Sequence, residues 1–418
     1  MLLNFFGRQL AAMWLTRKSA TPTQPESIRY AREVLARYPG DLRLLLLATD
    51  LLTSADQSAP LDEPRTSDGP AAAAAAALRS RLSALAPSPL SDPRVGGRLH
   101  YRLGCALRLL GRHEDDAAQA AFRSALATAP RQASWWYAFG LCHKYRGRWN
   151  EGINANRRAL ELGLKDDPAT LWNLGICATG AADPTTATDA WRKLGMGDQL
   201  TAEGSYQQFG HVQVRLGTRG TPAGPEVTDD RDLEFEHVWI ERLGPVHGRI
   251  LSATLWDGPA DYGDVVLFDA APCGWRDVDG ERVPRFPILS VLQSSHQRLF
   301  RFAAGQPQNG AVAEIEEELP PGSRLYVLSE QVATICASCA RGGKPHDHAP
   351  RPAEEHAVVF GKLFPPADAD LGHFRAQLRR ALLQRPHVRF AAPDLDAALG
   401  DDAAAQAGRA LWEELERV

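Results

Sequence analysis

Three segments between Leu99 and Leu194 carry the same local pattern, a large apolar residue followed by glycine: Leu103-Gly104, Phe139-Gly140 and Leu174-Gly175. The glycines stand 36 and 35 positions apart. A self-similar period of this size is the mark of stacked helix–turn–helix units. Such a unit cannot bury its apolar face alone. It packs on its neighbours, and the result is a curved stack with a continuous concave surface free to bind. The pattern indicates an interaction protein and leaves its partner unnamed.

The residues around each glycine resemble the tetratricopeptide repeat family. The second unit offers Trp136, Phe139-Gly140, Gly147, Ala159 and Leu160; the third offers Leu171, Leu174-Gly175, Ala187 and Trp191. The first offers Leu103-Gly104, Leu107, Gly111, Ala117, Phe122 and Ala125, and ends at Pro130. The paired glycines let two helices approach closely, and Gly111 and Gly147 suit turns that need positive φ. The pattern is departed from at Glu114-Asp115-Asp116, at Gly152 and Asn156, and over Gly180-Ala181-Ala182-Asp183-Pro184.

The resemblance implies a groove lined by the first helix of each unit. Carried over by register from each glycine, its residues are Arg98, Tyr101 and Arg108, then Tyr137, Leu141, Lys144 and Tyr145, then Trp172, Asn173 and Ile176. Aromatic area beside Arg, Lys and Asn donors suits a protein or peptide ligand carrying acidic groups. Lys144 and Asn173 match the family's carboxylate-gripping subset, whereas Ala138 stands where a second Asn would help. Tyr101, Tyr137 and Trp172 suit packing between repeats, or against the rest of the chain, equally well.

A chain of 418 residues exceeds one small core and predicts two or three domains. The predicted fold class is α+β multidomain: an N-terminal α-helical tetratricopeptide-like solenoid, then a mostly antiparallel β domain with terminal helices. Residues 1–98 read as an irregular helical region, with helices at 24–38, at 42–52 and over the alanine-rich 71–86. Residues 99–196 hold the repeats, 197–232 a linker rich in Gly, Pro and Asp, and 233–418 a β-rich α+β domain. In that last region short β-branched and aromatic runs fall at 237–241, 249–256, 264–268, 298–303, 311–317, 324–328 and 357–364. A helix is expected at about 370–384, a strand at 388–390 and a last helix at 401–416. A small barrel or sandwich is the expected β architecture.

The formal net charge of −4 gives no electrostatic case for nucleic acid. No apolar run reaches the roughly 18 residues of a membrane span, so no membrane partner is expected. The apolar start, Met1 to Leu15, is interrupted by Arg8-Gln9 and lacks a preceding basic region. It reads as an amphipathic first helix on the solenoid, with a helix lying on a membrane surface as the minority reading. Cys105, Cys142 and Cys177 fall inside predicted helices and read as small buried hydrophobes, which fits a reducing cytoplasm. Abundant alanine and arginine hint at a bacterial source.

Two constellations carry candidate chemistry. Cys336 and Cys339 precede a Gly/Pro-rich loop with His346 and His348, four ligands for a structural zinc, although one residue between the histidines is short for a zinc finger. A solvated loop and a redox dithiol are the other readings of that segment. Asp261, Asp264 and Asp269 flank one apolar run, with His237, Glu241 and His247 nearby in sequence. An enzyme centred on His247, Asp264 and Asp269 is the alternative there, against plain turn chemistry in Asp261-Tyr262-Gly263-Asp264. No nucleophile elbow, phosphate loop, dinucleotide fingerprint or His-Glu-x-x-His motif occurs. The reading is a non-catalytic adaptor or scaffold; a toxin-neutralising, immunity-like or regulatory binding protein is a further alternative.

Overall fold

The structure, a computed structural model, describes residues 2–19, 22, 24–58, 68–85, 92–110, 112–196, 210–217, 235–255, 258–278, 281–305, 311–328 and 358–417. Ten α-helices come first: α1 (Leu2–Lys18), α2 (Pro25–Arg37), α3 (Leu42–Ser58), α4 (Pro70–Leu85), α5 (Pro93–Arg108), α6 (Asp115–Thr128), α7 (Ala133–Lys144), α8 (Trp149–Glu161), α9 (Pro168–Gly180) and α10 (Pro184–Lys193). They stack as antiparallel pairs. The odd-numbered helices form an inner row and the even-numbered ones an outer row, each helix also touching the next pair. Helix pairing thus extends ahead of the three repeats to α3/α4, and α1 and α2 both pack mainly on α3.

The apolar-Gly signature has a direct steric cause. A β-carbon on Gly104 would sit 3.0 Å from the Phe122 ring, on Gly140 2.9 Å from the Asn156 carboxamide, and on Gly175 2.3 Å from the Trp191 ring. Each glycine is the floor on which the partner helix of its own pair rests. Asn156, a departure from the repeat pattern, is that resting residue in the second unit, and its amide is held by the Gly152 carbonyl at 2.8 Å. Gly147 closes the second helical turn with φ +67°, as its sequence context predicts. Asp92, Asp167 and Asp183 cap α5, α9 and α10, each accepting a backbone N–H of the first turn ahead of a proline.

The β-rich half divides into two units. The first holds β1 (His211–Gly217), β2 (Phe235–Arg242), β3 (His247–Ile250), β4 (Val265–Phe268), β5 (Gly274–Val278) and β6 (Glu281–Gln293) in the order β1-β2-β3-β4-β6-β5. β1 also pairs in parallel with β6, through Gln213, Val214 and Arg215 against Arg285, Phe286 and Pro287, and this closes the sheet into a barrel. Its interior is filled by Val214, Leu216, Val238, Ile240, Ile250, Val266, Phe268 and Ile288. β4 and β5 run along the same edge of β6 as one interrupted strand. Asp269 N–H donates to Pro287 and Cys273 N–H to Arg285, and the three residues between leave the ladder as a wide bulge. β1 lies inside the expected 197–232 linker; its alternating Val212, Val214 and Leu216 are a strand signal that the Gly/Pro-rich residues after it outweighed.

The second unit follows β7 (Phe300–Gly305), α11 (Ala311–Glu317), β8 (Arg324–Val327), β9 (Val358–Phe364), α12 (Leu371–Leu383) and β10 (Arg389–Ala391). All pairings are antiparallel, in the order β10-β7-β9-β8. This is the β-α-β-β-α-β arrangement of ferredoxin-like sandwiches. The run 311–317, expected as a strand, is a helix: Ala311, Val312 and Ile315 recur at helical spacing and are buried. A strand would have left the crossover from β7 to β8 without a covering layer. α13 (Pro393–Ala398) and α14 (Asp402–Glu416) follow, with Trp412 packed on Phe360 of β9.

The glycine contacts generate a graded prediction. Gly175→Ala forces a β-carbon into Trp191 and should lower stability by about 1–3 kcal/mol. Gly96→Ala, on α5 with nothing within 4 Å of the added carbon, should be neutral or stabilising by up to about 1 kcal/mol. Urea denaturation of the two variants beside wild type checks the ranking.

Candidate partner-binding groove

The groove residues derived from the repeat register do fall on the inner helices, and they separate into two groups. At Lys144 of α7 and at Asn173 and Ile176 of α9 they are not open to a ligand. Lys144 and Asn173 are 3% and 5% exposed, and Ile176 is buried. The Lys144 ammonium donates to Asn173 Oδ1 at 2.9 Å and to Asp269 Oδ2 at 2.8 Å. Its third direction is over the Tyr145 ring, 4.3 Å from the centroid. Asn173 also hydrogen-bonds Tyr137, whose hydroxyl is pushed up in pKa by burial. The residues that resemble a carboxylate grip therefore hold a carboxylate, and it belongs to the chain's own barrel.

The bulge between β4 and β5 places Asp269 there. β4 is apolar at four successive positions because both of its faces are covered: Val266 and Phe268 point into the barrel, and Leu267 points at the stack. Leu267, Val246 and Leu289 form one buried cluster with Leu174, Ile176, Cys177 and Trp191, flanked by Trp172 and Tyr145. Trp172 rests edge-on against Trp191 with ring centroids 5.0 Å apart. Trp172 thus lies at the margin of the cluster that joins stack and barrel, and Ile176 is buried inside it. Burial raises the Cys177 thiol to about 12, so this cysteine is a small apolar residue at physiological pH.

Over α5 the groove residues remain accessible. Arg98 is exposed, Tyr101 is half-buried, as is Leu141 on the neighbouring α7, and Arg94 is exposed one turn before Arg98. Arg102 of the same helix is paired with Asp50 of α3 at 2.6 Å. Tyr101 stacks on Trp135 at 5.2 Å and meets Phe122 edge-on, so its ring joins adjacent repeats while one side stays accessible. Arg108 is buried, only 6% exposed.

The alternative catalytic trio is not brought together. Asp264 and Asp269 stand at opposite ends of β4, five residues and about 16 Å apart. Asp264 accepts the backbone N–H groups of Ser295 and Asp261, and Asp269 is committed to Lys144 and the Ala271 N–H. His247 pairs in register with Leu267 on β3, and burial and Arg242 hold its imidazole below the usual range. Cys336, Cys339, His346 and His348 lie outside the described residues. Among the described residues no group of three or more His, Cys, Asp or Glu could hold a metal.

Sequence reasoning missed a second buried lysine. Lys362 of β9 is fully buried and donates to Asp261 Oδ2 at 2.5 Å and to Thr254 Oγ1 at 2.9 Å. Desolvation lowers its pKa, and Asp261 opposes that shift. The pair joins sandwich to barrel as Lys144–Asp269 joins barrel to stack. A lone lysine inside the apolar run Val358–Phe364 was the available signal.

No protein-family model and no curated protein matches the chain. Solved structures of helical-repeat proteins align with its helical part at low similarity. MamA from Desulfovibrio magneticus RS-1 is 18% identical, over 45% of this chain and 96% of that one, with a TM-score of 0.33. YrrB, described as a TPR protein with an unusual peptide-binding site, is 14% identical over 44% and 82%, with a TM-score of 0.31. TTC0263, a TPR protein of Thermus thermophilus, is 14% identical over 46% and 92%, with a TM-score of 0.32. The tetratricopeptide-like character of the helical half rests on its own helix pairing and glycine contacts.

The groove chemistry yields two predictions. Lys144→Met leaves the Asp269 carboxylate buried and unpaired, and should cost about 3–5 kcal/mol; Lys144→Met with Asp269→Leu should recover most of that loss. Chemical denaturation of the four proteins in the cycle measures the coupling. His143, packed on Phe139 with no partner for Nδ1, is held by burial at about 4, against 6.5 when exposed. The fold prefers its neutral form, so its contribution is complete above pH 6.5 and is lost as pH falls from there towards 4. The melting temperature should drop over that window, and His143→Phe should flatten the drop.

Proposed function

We propose that the protein is a non-catalytic adaptor that binds an acidic protein or peptide segment on the inner face of its helical stack, over α3, α5 and Leu141 of α7. The observation that carries the reading is the division of the groove. Its α9 end is filled by the chain's own carboxylate and barrel, while the α5 stretch presents Arg94 and Arg98 beside the accessible sides of Tyr101 and Leu141. Exposed guanidinium groups next to aromatic and aliphatic area recognise carboxylates on an extended or helical segment. Filling the α9 end also gives a bound segment a fixed stop, so its register is set by the barrel.

Arg94 and Arg98 are exposed and make no fold-critical contact, which makes them clean probes. Fluorescence anisotropy with a labelled oligoglutamate peptide should show binding that weakens about tenfold or more in Arg94→Glu/Arg98→Glu and with added salt. Equal affinity in the variant, or binding abolished only by changes at Trp172, would overturn the assignment of this stretch.

A further inference from the structure

The helix α1 is apolar around most of its circumference, and the stack uses only part of it. Ala11, Ala12 and Leu15 are buried against the core of the helical half. Leu10 and Met13, one turn apart on another face, are 62% and 68% exposed. They are two of the four large hydrophobic side chains exposed among the described residues, and the other two lie far away in sequence, at Trp275 and Leu383. A helix that is apolar on both sides belongs between two apolar surroundings. The stack supplies one.

The charges of α1 select the other. The helix has no acidic residue; its charged residues are Arg8, Arg17 and Lys18. Arg8 and Lys18 are partnered in cis by Asp41 and Glu26, and Arg17, one turn beyond Met13, is exposed. Its sequence adds Leu2, Leu3, Phe5 and Phe6 to these basic residues, the residue types of a helix lying in a membrane interface, while Trp14 is taken up against Tyr30 of α2. At 17 residues and interrupted by Arg8, it is not a span, and no helix among the described residues is long and apolar enough to cross a membrane. We propose that α1 docks the protein on an anionic phospholipid surface, with Leu10 and Met13 entering the acyl boundary and Arg17 meeting the headgroup phosphates. A second copy seated on the same face would bring the exposed Arg17 of each chain to the face with no acidic residue of α1 to pair it, which disfavours it.

Vesicle co-sedimentation of the full chain tests this, using phosphatidylcholine vesicles with and without phosphatidylglycerol. The expected result is binding to the anionic vesicles alone, weakened about tenfold or more in Leu10→Glu/Met13→Glu and several-fold in Arg17→Glu. All three positions are exposed, and an unchanged melting curve shows that the variants fold. The proposal is overturned if anionic vesicles leave the protein in solution or if the variants bind as wild type does. It is also overturned if light scattering shows a dimer that Leu10→Glu/Met13→Glu dissolves, since a second copy then owns the face. Binding of oligoglutamate by all three proteins keeps this outcome separate from that of the α5 groove.

Discussion

A lysine ammonium taken out of water must find an anion, and where it finds one decides how this molecule is assembled. Lys144 sits on the inner face of the second repeat, almost wholly buried, and its anion is Asp269, 125 residues further along the chain. The desolvation of both groups is large, and their attraction repays it only when the geometry is good and the remaining hydrogen-bonding directions are filled. Asn173 and the Tyr145 ring fill them for the lysine, and the Ala271 N–H does so for the aspartate. The pair therefore works less as a source of stability than as a registration device: the apolar surfaces of Leu267, Leu289 and Trp191 attract without direction, and the ion pair fixes where they meet.

The same solution appears at the other junction. Asp261 and Asp269 precede and follow β4, and each receives a buried lysine from a neighbouring unit, Lys362 from the sandwich and Lys144 from the stack. β4 is thus the strand through which the three units are joined. Its interior side chains belong to the barrel, Leu267 belongs to the repeat interface, and its flanking acids belong to the lysines. Of the three carboxylates flanking β4 in the chain, Asp261 and Asp269 are the acidic halves of two intramolecular contacts, and Asp264 holds the backbone N–H groups of Asp261 and Ser295. For function, the consequence is that the repeat groove is filled at its α9 end, and the proposed partner site is the arginine-bearing stretch on α5.

Much of the helical half was legible because its information is local. The Leu-Gly, Phe-Gly and Leu-Gly pairs encode close helix contacts within about 20 residues, so period and composition suffice to find them. The register counted from the glycines led to Lys144 and Asn173, although spacing alone could not tell that their anion was internal. That contact joins residues far apart in the chain, and nothing at Asp269 distinguishes a junction from a turn. The barrel was expected in outline, yet β1 was lost among Gly/Pro-rich residues, and β6 reads poorly because it contains Pro284 and Pro287 and changes partners along its length. The helix α11 was mistaken for a strand because seven residues hold too few turns for the periods 2 and 3.6 to separate. Lys362 was overlooked because a single charged residue in a strand is usually on its solvated face.

One internal carboxylate, Asp269, fixes the barrel in the repeat groove. Native-state hydrogen exchange of wild type and Asp269→Asn tests it most directly, because exchange reports which segments open together. The account predicts that loss of this one charge speeds exchange in α7, α9 and β4 as a group, while α5 and the β7–β9 sheet keep their wild-type rates. Faster exchange confined to the residues around position 269, with α7 and α9 unchanged, would contradict it.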